Sequence, residues 1–152
     1  MRIGVISDTH GLLRPEASEA LRGSDHIVHA GDVCSPSVLD ALRAMAPLTV
    51  VRGNNDRGAW ARALPATARV KLGGACLYVV HDLADMDVDP VAEGIRVVVS
   101  GHSHRPAAAE RDGVLYLNPG SAGPRRFRLP VAIAVLDVDA GAVTATIVPL
   151  LA

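Results

Sequence analysis

The chain reads as an α/β protein, a two-sheet sandwich covered by helices, and three observations point there. Short apolar runs rich in β-branched residues recur along it, namely IGVIS, HIVHA, PLTVV, ACLYVV and IRVVVS. They are too short for buried helices and suit a pleated sheet. In the first third these runs alternate with helical segments, and strand, helix, strand in succession predicts parallel strands joined by right-handed crossovers. Beyond residue 66 the punctuation changes to Gly-Gly and Asp-Ala-Gly, which marks hairpins and a growing share of antiparallel pairs.

Taken in order, residues 2 to 7 form a buried strand and residues 14 to 22 a helix, with Pro15 in its first turn and Gly23 closing it. HIVHA is the second strand. Ser35 is placed to cap a helix from Pro36 to about Ala44, because its hydroxyl accepts from the free N–H groups of a first turn. PLTVV is the third strand. TARVKL and ACLYVV flank Gly73-Gly74 as a hairpin. IRVVVS, VLYLN, PVAIAVLDV and AVTATIVPL follow as strands, the last two joined by Asp139-Ala140-Gly141. No internal repeat, low-complexity tract or linker interrupts the sequence, so residues 1–152 are expected to form one domain.

Composition narrows the function classes. A chain of 152 residues can bury roughly 70% of its unfolded surface around one core. Hydrophobic residues make up 49% but aromatics only 3%, so the core is built from Ala, Val, Leu and Ile, and platforms for stacking bases are scarce. With 15 basic and 16 acidic residues the formal charge is -1, which gives no global field for a polyanion; extended nucleic acid is not the expected partner. Cys34 and Cys76 have no spaced partner and read as small core residues. MRIGVIS is too short for a signal peptide, and no later run approaches the roughly 20 apolar residues of a membrane span. A soluble, reducing, cytoplasmic setting without a membrane partner is expected; the oligomeric state is left open.

Seven side chains of metal-ligand type close these apolar runs: Asp8, His10, Asp32, Asn54, His81, His102 and His104. Ligands in layered α/β proteins gather where strands end, so one rim can collect all seven. The donors are oxygen and imidazole nitrogen with no thiolate, which suits divalent ions that activate water and hold phosphate. Asp8 and His10 stand two residues apart just past a strand, where alternation directs both to one side. Gly31 lets the backbone approach closely before Asp32, whose two carboxylate oxygens can bridge two cations. Gly53-Asn54-Asn55-Asp56 has the composition of a turn, with Asn54 offering a neutral amide oxygen. His102 and His104 repeat the two-residue spacing; Ser103 between them points away and is not indicated as a nucleophile. The spacing of His29 from Asp32 assigns it a supporting or packing role, and His26 reads as an ordinary strand histidine. Arg52, Arg57, Arg105 and Arg125 read as solvated arginines within reach of a phosphate.

In this order the blocks Asp8-x-His10, Gly31-Asp32, Gly53-Asn54-x-Asp56, His81 and Gly101-His102-x-His104 resemble the calcineurin-like metallophosphoesterase family, most closely its small single-domain phosphodiesterases. Asn118-Pro119-Gly120-Ser121, followed by Pro124-Arg125, is similar to the segment after the last ligands there. The resemblance covers nearly the whole chain and implies a four-layer α/β/β/α sandwich of two mixed sheets flanked by helices. It implies two divalent ions, with Mn foremost and Fe, Zn or Ni able to take the same donors. One ion would be held by Asp8, His10, Asp32 and His104, the other by Asp32, Asn54, His81 and His102. The implied activity is hydrolysis of small phosphate diesters by a metal-bridging hydroxide, with Asp32, Asn54, Asn55 and His102 at the reacting centre.

Two positions depart from the family pattern. Asn55 stands where many members carry a His that helps protonate the leaving oxygen, so good leaving groups are expected to be favoured. Asp82 stands where many carry Gly, beside the second ion. Two alternatives use the same fold: phosphomonoester hydrolysis, and a non-catalytic protein-binding scaffold, since a retromer subunit is similar in fold.

Overall fold

Ten strands form two five-stranded mixed sheets in a computed structural model that describes residues 1–151. In chain order the elements are β1 (Arg2–Ile6), α1 (Pro15–Leu21), β2 (His26–His29), α2 (Pro36–Arg43), β3 (Leu48–Val50), α3 (Ala59–Arg62), β4 (Thr67–Leu72), β5 (Ala75–Val80), a 3-10 turn (Leu83–Asp85), β6 (Val97–Val99), β7 (Ala107–Arg111), β8 (Val114–Asn118), β9 (Ala132–Asp139) and β10 (Ala142–Pro149). The first sheet has the order β10-β9-β1-β2-β3 and the second β4-β5-β6-β8-β7. As expected, β1, β2 and β3 run parallel through the α1 and α2 crossovers. In the second sheet β5, β6 and β8 are parallel, and β4 and β7 close its edges antiparallel.

Alternation along the strands sorts side chains into layers. Ile3, Val5, Val28, Leu77, Val79, Val97 and Leu136 meet between the sheets, while Ile6, Ile27 and Ile133 face the other way onto Leu21 of α1 and Leu39 and Leu42 of α2. Ser35 caps α2 by accepting from Ser37 N–H. The outer face of the second sheet buries Tyr78, Val80, Val98 and Val114 under Ile95, with Met86 and Val88 packed beside them. That cover is an irregular segment with one 3-10 turn, so the fourth layer is a loop where the resemblance implied helices. Its composition explains this: Asp82 accepts from Ala84 N–H and Asp89 from Val91 and Ala92 N–H, local bonds that compete with a helix. No helix among the described residues is long and apolar enough to cross a membrane.

Turn chemistry accounts for the hairpins. Gly73 and Gly74 have φ of +57° and +86° and return β4 onto β5. The AAAER sequence of β7 has helix-forming composition. Asp112-Gly113, with φ of +52° and +79°, turns this segment into a hairpin with β8, and pairing overrides propensity. The short α3 was not anticipated. Cys76 is half-buried on β5, whereas Cys34 departs from the core reading: its sulfur lies 3.7 Å from His10 Nδ1 on the rim, because φ of +65° turns it out of the apolar run.

His29 pins the exits of β1 and β2 together. It is fully buried, and its Nδ1 accepts from Gly31 N–H at 3.0 Å. Nδ1 is therefore the unprotonated nitrogen, and Nε2–H donates to Thr9 Oγ1 at 3.0 Å. Burial lowers its pKa to about 4 from the ordinary 6.5. Below pH 6.5 the unfolded chain binds a proton that the folded chain refuses until about pH 4, so this group removes stability as pH falls through that window. In His29→Gln the fall in unfolding free energy of the metal-free protein between pH 7 and 4 should be smaller by about 3 kcal/mol. Urea denaturation at several pH values measures it, and an unchanged pH slope would contradict the assignment.

Candidate metal centre

The parallel strands of both sheets end at one rim, and the polar residues that follow them meet there. Asp8 and His10 follow β1, Asp32 follows β2, Asn54 follows β3, His81 follows β5, and His102 and His104 follow β6. Extended-strand alternation does not aim them. Asp8, His10, Asp32, His102 and His104 have φ of +54°, +47°, +57°, +69° and +61°, so each sits in a left-handed turn beyond its strand. Asp and His tolerate that region better than most residues, yet each such position costs about 1 to 3 kcal/mol. Hydrogen bonds that extend the strand pairing hold the turns: Asp8 N–H to Gly31 O at 3.0 Å, His10 N–H to Asp32 O at 3.0 Å and Gly101 N–H to His81 O at 2.9 Å. A Cβ on Gly53 would overlap Asp32, and one on Gly101 would overlap Ser7 and Asp8, so these two glycines let the turns close up.

The carboxylates are oriented on one side and open on the other. Asp8 Oδ2 accepts from Ser7 Oγ at 2.6 Å and from His102 N–H at 3.1 Å. Its Oδ1 is buried without a hydrogen bond, 3.3 Å from His104 Nε2, 3.8 Å from His10 Nε2 and 3.9 Å from His81 Nε2. Asp32 Oδ1 accepts from Asn55 N–H at 2.8 Å. Asp32 Oδ2 lies 3.3 Å from His81 Nε2 and 3.6 Å from His10 Nε2, between imidazoles of the two expected ion sites. Burial pushes the Asp32 pKa up, but hydrogen bonds from His81 and Asn55 outweigh it and hold the group below the carboxylate range. Asp8 is lowered too: burial opposes, and His104, Ser7 and the charge of His81 prevail.

The imidazoles complete an acceptor-rich cluster. His81 Nδ1–H donates to Ala30 O at 2.8 Å, which turns Nε2 toward Asp32 Oδ2 and, at 3.0 Å, Asn54 Oδ1. A neutral His81 thus aims a lone pair at oxygens, and only positive charge among them resolves the conflict. Its own proton affinity is raised: burial opposes this, and Asp32 and Asp8 outweigh it. His102 Nδ1 faces Asn54 Oδ1 at 3.3 Å. His10 Nε2 and His104 Nδ1, like Asp8 Oδ1, are buried without hydrogen-bond partners. Asp8, His10 and His104 form one group with ligand atoms within 4.8 Å of one another, and Asp8, Asp32 and His81 a second. Buried oxygen and imidazole donors with unsatisfied atoms fit divalent cations.

The two departures from the family pattern acquire positions. Asn55 Nδ2 donates to Asp32 Oδ2 at 3.0 Å, so the amide is engaged with a carboxylate rather than free in the opening. Asp82 Oδ2 lies 3.6 Å from His102 Nε2, approaching from the far side of the ring and outside the cluster. Arg52 and Arg125 are tied to backbone carbonyls, of Leu64 and Leu129 respectively. Beside His81 and His102 a cleft of about 470 Å³ opens, bordered by Arg52, Asp82, Asp85 and Asp87.

Sequence reasoning gave Asp56 no role, yet it is buried and organises the centre. Its Oδ2 accepts from Asp32 N–H at 3.0 Å and Gly53 N–H at 2.8 Å, and its Oδ1 from Cys34 N–H at 2.7 Å. The available signal was the fourth place of Gly-Asn-x-Asp, which composition alone reads as a turn. Asn118 likewise supports the His102 loop, donating to Gly101 O at 3.0 Å and Ser103 Oγ at 3.1 Å.

Comparison with known proteins agrees with this geometry. The profile of the calcineurin-like phosphoesterase superfamily domain matches residues 1–141. A probable metallophosphoesterase of Methanothermobacter thermautotrophicus is 34% identical over 97% of this chain and 92% of that protein. Phosphodiesterase YfcE of Escherichia coli is 30% identical over 91% of this chain and 89% of its own. In fold, Vps29 of Chaetomium thermophilum superposes with a TM-score of 0.79 at 21% identity, covering 97% of this chain and 95% of that one. A profile spanning residues 1–141, with relatives matched over most of their length, places the chain in the calcineurin-like phosphoesterase superfamily.

Proposed function

We propose that the whole chain is one phosphodiesterase domain that hydrolyses small phosphate diesters with two divalent cations. Asp8, His10, Asp32 and His104 would hold one cation and Asp32, Asn54, His81 and His102 the other, with Asp32 shared. The observation that carries this reading is the buried cluster of acceptors, in which Asp8 Oδ1 and His10 Nε2 have no partner and Asp32 Oδ2 stands between His10 and His81. Mn is the first choice, and Fe, Zn and Ni suit the same donors. Such a pair of cations supplies an activated water at neutral pH and neutralises charge on the phosphoryl oxygens. The protein's part is to fix the donors: Ser7 and His102 N–H orient Asp8, Ala30 O orients His81, and Asp56 braces the Asp32 loop. A cytoplasmic setting goes with the same reading, since two free cysteines suit a reducing compartment.

A second reading, a protein-binding scaffold, is favoured by the fold likeness to Vps29. The complete donor set weighs against it, because docking a partner needs no buried cluster of unsatisfied ligands. Hydrolysis of bis(p-nitrophenyl) phosphate with added Mn separates the two. Turnover should fall at least about 100-fold in Asp32→Ala and in His102→Ala. No turnover with Mn, Fe, Zn or Ni would leave the scaffold. Faster release from p-nitrophenyl phosphate than from the diester would favour monoester hydrolysis.

Asn55 shapes the expected chemistry. Its amide can donate to a phosphoryl oxygen but cannot protonate a leaving alkoxide. General acid catalysis is worth about 100- to 10,000-fold, so the loss falls on poor leaving groups. Across a series of aryl and alkyl diesters the rate should drop steeply as leaving-group pKa rises, and Asn55→His should flatten the dependence. A flat dependence in the unaltered protein would show that another group donates the proton.

A further inference from the structure

Phe127 is the only phenylalanine in the chain, and it is 94% exposed with φ of +52°. Neither packing nor backbone preference accounts for it, since a bulky residue in the left-handed region is an outlier and a fully exposed large aromatic gains nothing from water. It sits in Gly123-Pro124-Arg125-Arg126-Phe127-Arg128-Leu129, with arginines on both sides. The segment is anchored on the metal rim. Ser121 Oγ donates to Asp8 O at 2.9 Å, Ala122 N–H to Ser7 O at 3.0 Å, and Arg14 Nε to Gly123 O at 3.2 Å. Within it Leu129 N–H donates to Arg126 O at 3.0 Å. Arg105, directly after His104, joins Phe127, Arg128 and Leu129 around a hollow of about 450 Å³.

The net charge of -1 is therefore segregated around the centre. Arg105, the residue after His104, shares its hollow with Phe127 and Arg128, while three aspartates, Asp82, Asp85 and Asp87, outnumber Arg52 around the cleft beside His81 and His102. This distribution favours an anionic substituent on the arginine side over the aspartate side.

We propose that Arg105, Arg126, Phe127 and Arg128 bind the non-leaving arm of the diester, and that this arm carries a flat aromatic ring and a second phosphate, as a nucleotide does. The proposal rests on the diesterase reading and adds the substrate class to it. Phe127 stacks on the ring and the arginines take the second phosphate. One exposed aromatic ring serves one base, in keeping with a nucleotide-sized ligand rather than a long strand. Base stacking on an aromatic side chain, with support from arginine, is enough for a change of about tenfold in binding.

Three esters with the same leaving group test this on the Mn-loaded protein: methyl p-nitrophenyl phosphate, p-nitrophenyl thymidine 5′-phosphate, and the latter carrying a 3′-phosphate. KM should fall along the series by about tenfold per step. Phe127→Ala, at a site whose exposure spares the fold, should erase the thymidine step, and Arg126→Ala with Arg128→Ala the 3′-phosphate step. The methyl ester, which lacks the arm, is the reference against which each KM step is read in the variants. Calorimetric titration of the metal-free protein with thymidine 3′,5′-bisphosphate should show binding that weakens in the same variants. Turnover of the methyl ester with equal KM values across the series, or KM values indifferent to these variants, would overturn the proposal. Sedimentation with phosphatidylserine vesicles that is lost in Phe127→Ala while KM stays constant would overturn it in favour of a membrane surface. Absence of turnover with every ester would instead defeat the diesterase reading.

Discussion

Two carboxylates, Asp8 and Asp32, are buried at 0% and 2% exposure and face imidazole nitrogens. Burying negative charge is costly unless positive charge lies within reach, and no lysine or arginine forms an ion pair with either group among the described residues. The two carboxylates raise the proton affinity of His81, against the effect of its burial. The rest of the rim is organised around this demand. Two sheets deliver their parallel strand ends to one edge, and five left-handed turns, each costing about 1 to 3 kcal/mol, fold the donors inward.

Selectivity of the arrangement lies in which atoms are already satisfied. Asp8 spends Oδ2 on Ser7 and on His102 N–H, so Oδ1 is left free. His81 spends Nδ1 on Ala30 O, so Nε2 is left. Asp56 and His29 tie the exits of the first three strands, which holds Asp32 beside Asp8. Supporting hydrogen bonds of this kind set ligand direction and basicity, which is why they belong to the chemistry and not only to the fold. Asn55 and Asp82 act at the margin: one holds the Asp32 carboxylate, the other approaches Nε2 of His102.

Much of this was legible in the residues. The period-2 apolar runs, Pro15, Ser35 and the Gly73-Gly74 pair placed β1 to β5 and the first two helices close to their observed bounds. The order of the Asp, Asn and His blocks also placed all seven donors at one rim. What escaped the reading depends on long-range pairing. AAAER becomes an edge strand only because β8 is there to receive it. The aspartates of residues 82 to 89 hold a loop layer where helices were expected. The two-residue spacings predicted convergence correctly but for a different cause, since left-handed turns and not strand pleating aim Asp8, His10, His102 and His104. Cys34 and Asp56 were misread for the same reason: burial of a turn residue is set by its neighbours across the rim, which local composition does not encode.

The sharing of Asp32 between two cations is the point on which the functional reading turns, and it can be seen directly. Anomalous diffraction from crystals grown with Mn should give two peaks. One should lie among Asp8, His10 and His104, the other among Asn54, His81 and His102, with the Asp32 carboxylate contacting both. A single peak, or two that do not share Asp32, would contradict it.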